Sequence, residues 1–92
     1  MTKTSEKTVE KYCQDEAKRR GGKAVKWSSP SQRGVPDRII ILPGKIGFLE
    51  LKGSGKKPTK LQQHWIETLL SLGFNADYAD SKEAVKDFMD KL

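Results

Sequence analysis

Apolar and polar positions alternate along this chain with two distinct periods. Val9, Tyr12, Cys13 and Ala17 recur every three or four residues among charges, which is the spacing of one helical face. That predicts a helix over 5–20, capped by Ser5 or begun at Thr8. Lys18, Arg19 and Arg20 complement the dipole at its end, and Gly21-Gly22 stop it. Lys23 to Trp27 alternates as a short strand, with Trp27 expected in the core. Ile39-Ile40-Ile41-Leu42 is a continuous apolar run, which predicts a strand buried on both faces between helices. A Pro43-Gly44 turn leads into a third strand, Ile46 to Lys52. Leu61, Trp65, Leu69 and Leu72 fall at i, i+4, i+8 and i+11, a helical stripe over 61–72 that Gly73 ends. Asn75 to Ala79 alternates as a fourth strand. Asp80-Ser81 can cap a last helix whose stripe is Ala84, Val85, Phe88, Met89 and Leu92, a core or dimer surface. Residues 1–4 are polar and are expected to fray. The order is helix, three strands, helix, strand, helix. It predicts one α/β domain over 1–92, a mixed sheet flanked by helices. The third-to-fourth strand connection is a right-handed crossover if those strands run parallel.

The middle of this pattern concentrates the chemistry. If Pro43-Gly44 closes a tight hairpin, the start of one strand lies beside the end of the next. Asp37 and Glu50 then converge, although 12 residues separate them. Side chains alternate across a strand, so Lys52 shares a face with Glu50 and Leu51 points into a core. Two carboxylates a few Å apart repel each other. A hard divalent cation relieves that repulsion, and Mg²⁺ is typically held by one or two carboxylates plus water and phosphate oxygens. Such a metal lowers the pKa of a bound water and stabilises a phosphodiester transition state. An ammonium two residues from the acid can orient that water or neutralise developing charge. Gly34 and Pro36 shape the turn that delivers Asp37.

Charge narrows the partner. The chain has 92 residues and a formal charge of +6, with a pI near 9.6, a balance that favours a polyanion such as nucleic acid. Hydrophobic residues make up only 35%. A domain of this size buries roughly 60–65% of its unfolded surface, so dimerisation would help it. Gly53 to Lys60 is a flexible basic loop directly after the Glu50/Lys52 strand, and its lysines suit phosphate contacts. It lacks the spacing of a nucleotide-binding phosphate loop. One cysteine, Cys13, allows no intrachain disulfide and reads as a packing residue. His64 stands alone and is assigned no role; no zinc-type Cys/His cluster occurs. No signal peptide is visible and no apolar run approaches the ~20 residues of a membrane span, so the chain reads as cytoplasmic.

Pro36-Asp37 followed by Glu50-Leu51-Lys52 resembles the PD-(D/E)XK nuclease signature. The wider string Gly34-Val35-Pro36-Asp37-Arg38, Phe48-Leu49-Glu50-Leu51-Lys52 and Lys57-Pro58-Thr59-Lys60-Leu61-Gln62 resembles the VRR-NUC branch, in build the small stand-alone versions found in phages. The resemblance implies a restriction-endonuclease-like αβββαβ(α) core and a metal-dependent DNA endonuclease using Mg²⁺ or Mn²⁺. It implies that Asp37, Glu50, the Leu51 carbonyl and a first-helix Glu hold the metal. Glu10 matches that position, with Glu6 in reserve; alternatively both are solvated charges pairing with lysines at i+4. It also puts a Gln beside the active site. Gln62 fits, yet Thr59-x-x-Gln62 is equally a capping box. Lys52 would position the attacking hydroxide, and Arg33, Arg38, Lys56, Lys57 and Lys60 would contact DNA. The implied substrate is branched double-stranded DNA, a four-way junction above all, cut by a homodimer in the host cytoplasm if the chain is phage-encoded. A monomeric flap or nick-directed nuclease and a non-catalytic basic binding module are the alternatives.

Overall fold

The helices and strands start and stop where the capping and turn residues dictate. The computed structural model describes residues 3–92 and gives α1 (Glu6–Arg19), β1 (Lys23–Lys26), β2 (Arg38–Leu42), β3 (Lys45–Leu51), α2 (Lys60–Ser71), β4 (Asn75–Ala79) and α3 (Lys82–Asp90). Ser5, Thr59 and Ser81 are the three N-caps, each accepting from a backbone N–H of the first turn. The fraying expected of 1–4 concerns residues 1 and 2, which lie outside the described residues, and Lys3 and Thr4. Thr4 is tied down, since its carbonyl accepts from Ser54 N–H at 2.9 Å.

The sheet order is β1-β2-β3-β4. The first three strands are antiparallel neighbours, and β4 joins β3 in parallel through the α2 crossover. This is the mixed α/β architecture expected. One face carries Ile40, Leu42, Leu49, Leu51 and Ala79, all buried against Val9, Cys13 and Ala17 of α1 and Val85, Phe88 and Met89 of α3. The α3 stripe is therefore core, not a free dimer surface. The other face has a smaller core of Ile66, Leu69 and Ala76, with Trp27, Phe48 and Tyr78 packed against it.

Two burial expectations are corrected. The β2 run is not buried on both faces: Ile40 is fully buried, but Ile41 is 44% exposed. Only α2 lies on that second face, and it packs chiefly on β4. Val25, Ile41 and Ile46 are left uncovered. The α2 stripe is also rotated from Leu61/Trp65/Leu69/Leu72 to Ile66 and Leu69, with Leu61 and Leu72 exposed. The helix meets β4 through the turn centred on Ile66, so both ends of the predicted stripe turn outward.

Two glycines fix how the pieces approach. Any Cβ on Gly22 would fall 1.9 Å from the carbonyl oxygen of Ile41, so only glycine lets the chain leaving α1 pass over β2. Gly34 has φ +84°, and a Cβ there would meet Leu61 of α2 at 2.7 Å. It seats the 28–37 loop against the start of α2, next to the acids.

Candidate active site

The register Arg38↔Leu49, carried one residue outward, sets Asp37 opposite Glu50. The strand ends hold them there. Asp37 C=O accepts from Trp27 N–H at 2.8 Å, and Asp37 Oδ2 accepts from Leu51 N–H at 3.1 Å. Pro36, just before it, is fully buried. Lys52 N–H donates to Ala79 C=O at 2.9 Å, which extends the β3–β4 ladder one residue past Leu51. Alternation then puts Glu50 and Lys52 on one face, and Lys52 Nζ lies 3.5 Å from Glu50 Oε2. Leu51 is fully buried on the other face. The hairpin thus brings Asp37, Glu50 and Lys52 together as its sequence implied.

Glu50 is the centre of the arrangement and is only 2% exposed. Burial and the adjacent Asp37 carboxylate push its carboxyl up to about 7, against the pull of the Lys52 ammonium. Its Oε2 receives Gln62 Nε2 at 3.0 Å. Its Oε1 is buried without a hydrogen-bond partner. A buried carboxylate oxygen with nothing to accept from is costly, so a ligand for that oxygen is wanted.

Gln62 serves both readings left open by its sequence. Its Oε1 accepts from Thr59 N–H at 2.9 Å while Thr59 Oγ1 accepts from Gln62 N–H at 3.2 Å, a complete capping box. Its Nε2 is left for Glu50. The amide can face only this way, because reversal would aim an oxygen at the carboxylate.

The remaining candidates are placed less uniformly. Glu10 is half-buried on α1 and close enough to Cys13 to act on it electrostatically, as is Arg38. Among the described residues no three His, Cys, Asp or Glu side chains gather to hold a metal, so Glu10 does not join Asp37 and Glu50 in one cluster here. Glu6 is exposed at the start of α1. Arg38 corrects the expectation that it faces DNA. It shares the α1 face with Ile40, donates from Nη1 to Ala24 C=O at 3.2 Å, and Gln14 can accept from both Nη atoms. Its Nε is buried. Strand parity, which already placed Leu51, would have placed Arg38. Arg33, Lys56, Lys57 and Lys60 are exposed. Arg33 precedes Gly34, which packs on Leu61 in the first turn of α2. His64 is exposed. Cys13 is fully buried, and burial pushes its thiol up to about 12, as suits a packing residue.

The donor set suits a hard cation. Two carboxylates, one of them with an unpartnered oxygen, beside a backbone segment match the sparse protein ligation of Mg²⁺. They lack the nitrogen and sulfur donors of a zinc site.

Known proteins resemble the chain along most of its length. No family model matches it. "Putative nuclease p44" of Acyrthosiphon pisum secondary endosymbiont phage 1 is 43% identical over 79 residues, 85% of each chain. A solved structure described as "VRR_NUC domain" superposes with a TM-score of 0.85 at 31% identity, over 95% of this chain and 96% of that one. With this fold, this carboxylate–lysine hairpin and these two likenesses, the chain belongs to the VRR-NUC family.

Proposed function

We propose that this nuclease is a metal-dependent endonuclease for branched DNA, acting as a homodimer on four-way junctions. The observation that carries the reading is the buried Glu50 carboxylate, set against Asp37 with Oε1 unpartnered. Asp37, Glu50 and the backbone at Leu51 would hold Mg²⁺ or Mn²⁺, with Glu10 of α1, which stands apart from the two acids here, as the further acid. Bound there, the ion supplies Lewis acidity to the scissile phosphate and lowers the pKa of water. The protein's residues do the rest. Lys52 Nζ, steadied by Glu50, holds the attacking oxygen and offsets negative charge gathering on the phosphate. Gln62 Nε2 fixes the Glu50 carboxylate through Oε2, which leaves Oε1 as the oxygen that would serve a bound ion. Burial of Glu50 on β3 strengthens the interactions its carboxylate makes. Arg33, Lys56, Lys57 and Lys60 border the site and suit backbone phosphates on either side of the cut.

The junction reading rests on symmetry and size. A four-way junction is two-fold symmetric, and a two-fold dimer presents identical sites to opposite strands. The test incubates labelled four-way junction, flap and plain duplex with Mg²⁺, Mn²⁺ or EDTA, alongside the mass in solution. Paired metal-dependent cuts in opposite junction strands by a dimer are expected. Flap cutting alone by a monomer would replace this reading with a flap nuclease. Binding without any cut would leave a basic binding module.

A further inference from the structure

We propose that the flank of α1 beside the site is a second seat for DNA phosphates, one that holds an arm of branched DNA not being cut. The proposal rests on the nuclease reading above. Two hollows follow one another along this flank in chain order, the first lined on the α1 side by residues up to Glu6 and the second from Lys7 on. The first, of about 480 Å³, lies where the segment before α1 meets the 53–56 loop and has Lys3 and Lys56 against one acid, Glu6. The second, of about 420 Å³, lies between α1 and the start of α3 and has Lys7, Lys11 and Lys82 against one acid, Asp15.

The hollows begin one residue from Lys52. Gly53 abuts the first turn of α1, where a Cβ would lie 3.3 Å from Glu6 N. Ser54 N–H donates to Thr4 C=O at 2.9 Å, and Gly55 N–H donates to Asp80 Oδ2 at 3.1 Å. The loop therefore straps the starts of α1 and α3 to the end of β3, so the flank begins at the same end of the sheet as the site.

Charge pairing points the same way. At the far end Glu16 takes Arg19 and Arg20, while Asp90 takes Arg20 and Lys86. On the flank only Lys11 is paired, with Asp15, and both are largely exposed, a pair of little strength. Lys3, Lys7, Lys56 and Lys82 form no ion pair among the described residues. Lys7 and Lys11 stand one turn apart, roughly 6 Å between Cβ atoms, in an open row rather than a closed cradle. A row of ammonium groups, of which only Lys11 has an acid partner and that a weak one, fits an extended polyanion, which gains by releasing its counterions.

The test measures binding in EDTA between about 50 and 200 mM salt, with a four-way junction and a linear duplex of one arm's sequence. The variant Lys7→Gln/Lys11→Gln/Lys82→Gln is compared with Lys23→Gln/Lys45→Gln/Lys91→Gln, which loses the same charge at the opposite end of the sheet. Thermal melts confirm that both fold. The flank variant is expected to bind the junction about tenfold more weakly, with a salt slope smaller by about two to three. The duplex and the far-end variant should change by no more than about twofold. Equal loss on junction and duplex, or no loss beyond the far-end variant, would overturn the second seat alone. A parent protein that binds neither DNA would overturn the nuclease reading and this one with it.

Discussion

Gln62 uses both ends of one amide, so substitutions can separate its roles. Gln62→Glu keeps an oxygen for Thr59 N–H but sets a second acid against Glu50 where a donor stood. Losing a partner that orients a metal-binding group typically costs 10–100-fold in activity or metal affinity. Cleavage should fall by about that factor while the melting temperature stays within a few degrees. Thr59→Ala should do the reverse, costing about 1 kcal/mol of stability with cleavage rates nearly unchanged. If Thr59→Ala also abolished cleavage, the site would depend on the helix start rather than on the amide. Glu50 gives a pH signature in metal-free protein. Its folded carboxyl is raised to about 7, so its contribution is full below the ordinary value near 4.5. It is lost as pH climbs through 7. Denaturant titrations in EDTA should show stability declining from pH 5 to 8 by on the order of 2 kcal/mol, and Glu50→Gln should flatten that decline. Glu16 acts at the other end of the scale. Its two arginines hold it down to about 2, so its contribution is lost as pH falls from about 4.5 towards 2.

At the scale of elements, the period of apolar residues and the cap signals made the seven-element order legible, because both are local. Ser5, Thr59 and Ser81 stop the chain from starting a helix elsewhere. The two-residue Pro43-Gly44 turn and the buried Ile40/Leu42 and Leu49/Leu51 face together set the β2–β3 register that joins Asp37 to Glu50. The extent of α2 over the sheet was not legible, since neither Ile41 nor Ile66 carries a mark of what lies above it. Strand parity gives the face of Arg38, but its partners Gln14 and Ala24 were hidden for the same reason: the contact joins three elements. Close backbone crossings were also silent in the sequence. Gly22 would place a Cβ on the Ile41 carbonyl, a backbone atom that cannot yield, whereas Gly47 would press on the side-chain ends of Leu92 and Phe88. Gly22→Ala should therefore cost about 3 kcal/mol or more and Gly47→Ala clearly less, as measured by urea midpoints. The opposite ranking would mean that the α1–β2 crossing is looser than this geometry.

At the scale of the molecule, charge is sorted by position. The acids that are firmly paired, Glu16 and Asp90, sit at the C-terminal ends of α1 and α3. The acids at the other end, Asp37 and Glu50, sit under a rim of lysines. DNA phosphates near that rim are drawn by the lysines and repelled by the two acids. Binding and cleavage should therefore respond oppositely to substitution there. Lys56→Ala/Lys57→Ala should weaken DNA binding and reduce its salt slope by up to about two, near 0.9 per lost phosphate contact. The metal dependence of whatever cleavage remains should be unchanged. Asp37→Ala or Glu50→Ala should abolish cleavage, yet bind DNA in EDTA as tightly as the parent or more tightly, because each removes a negative charge from beside a phosphate. Lys52→Ala should lose cleavage and also some affinity, since it leaves Glu50 without its cation at 3.5 Å. Filter binding and gel cleavage on one preparation of each variant separate these outcomes. An acid variant that bound more weakly than the parent without metal would show that the carboxylates organise the protein surface rather than oppose the phosphate, and the hairpin would have to be read as a structural element first.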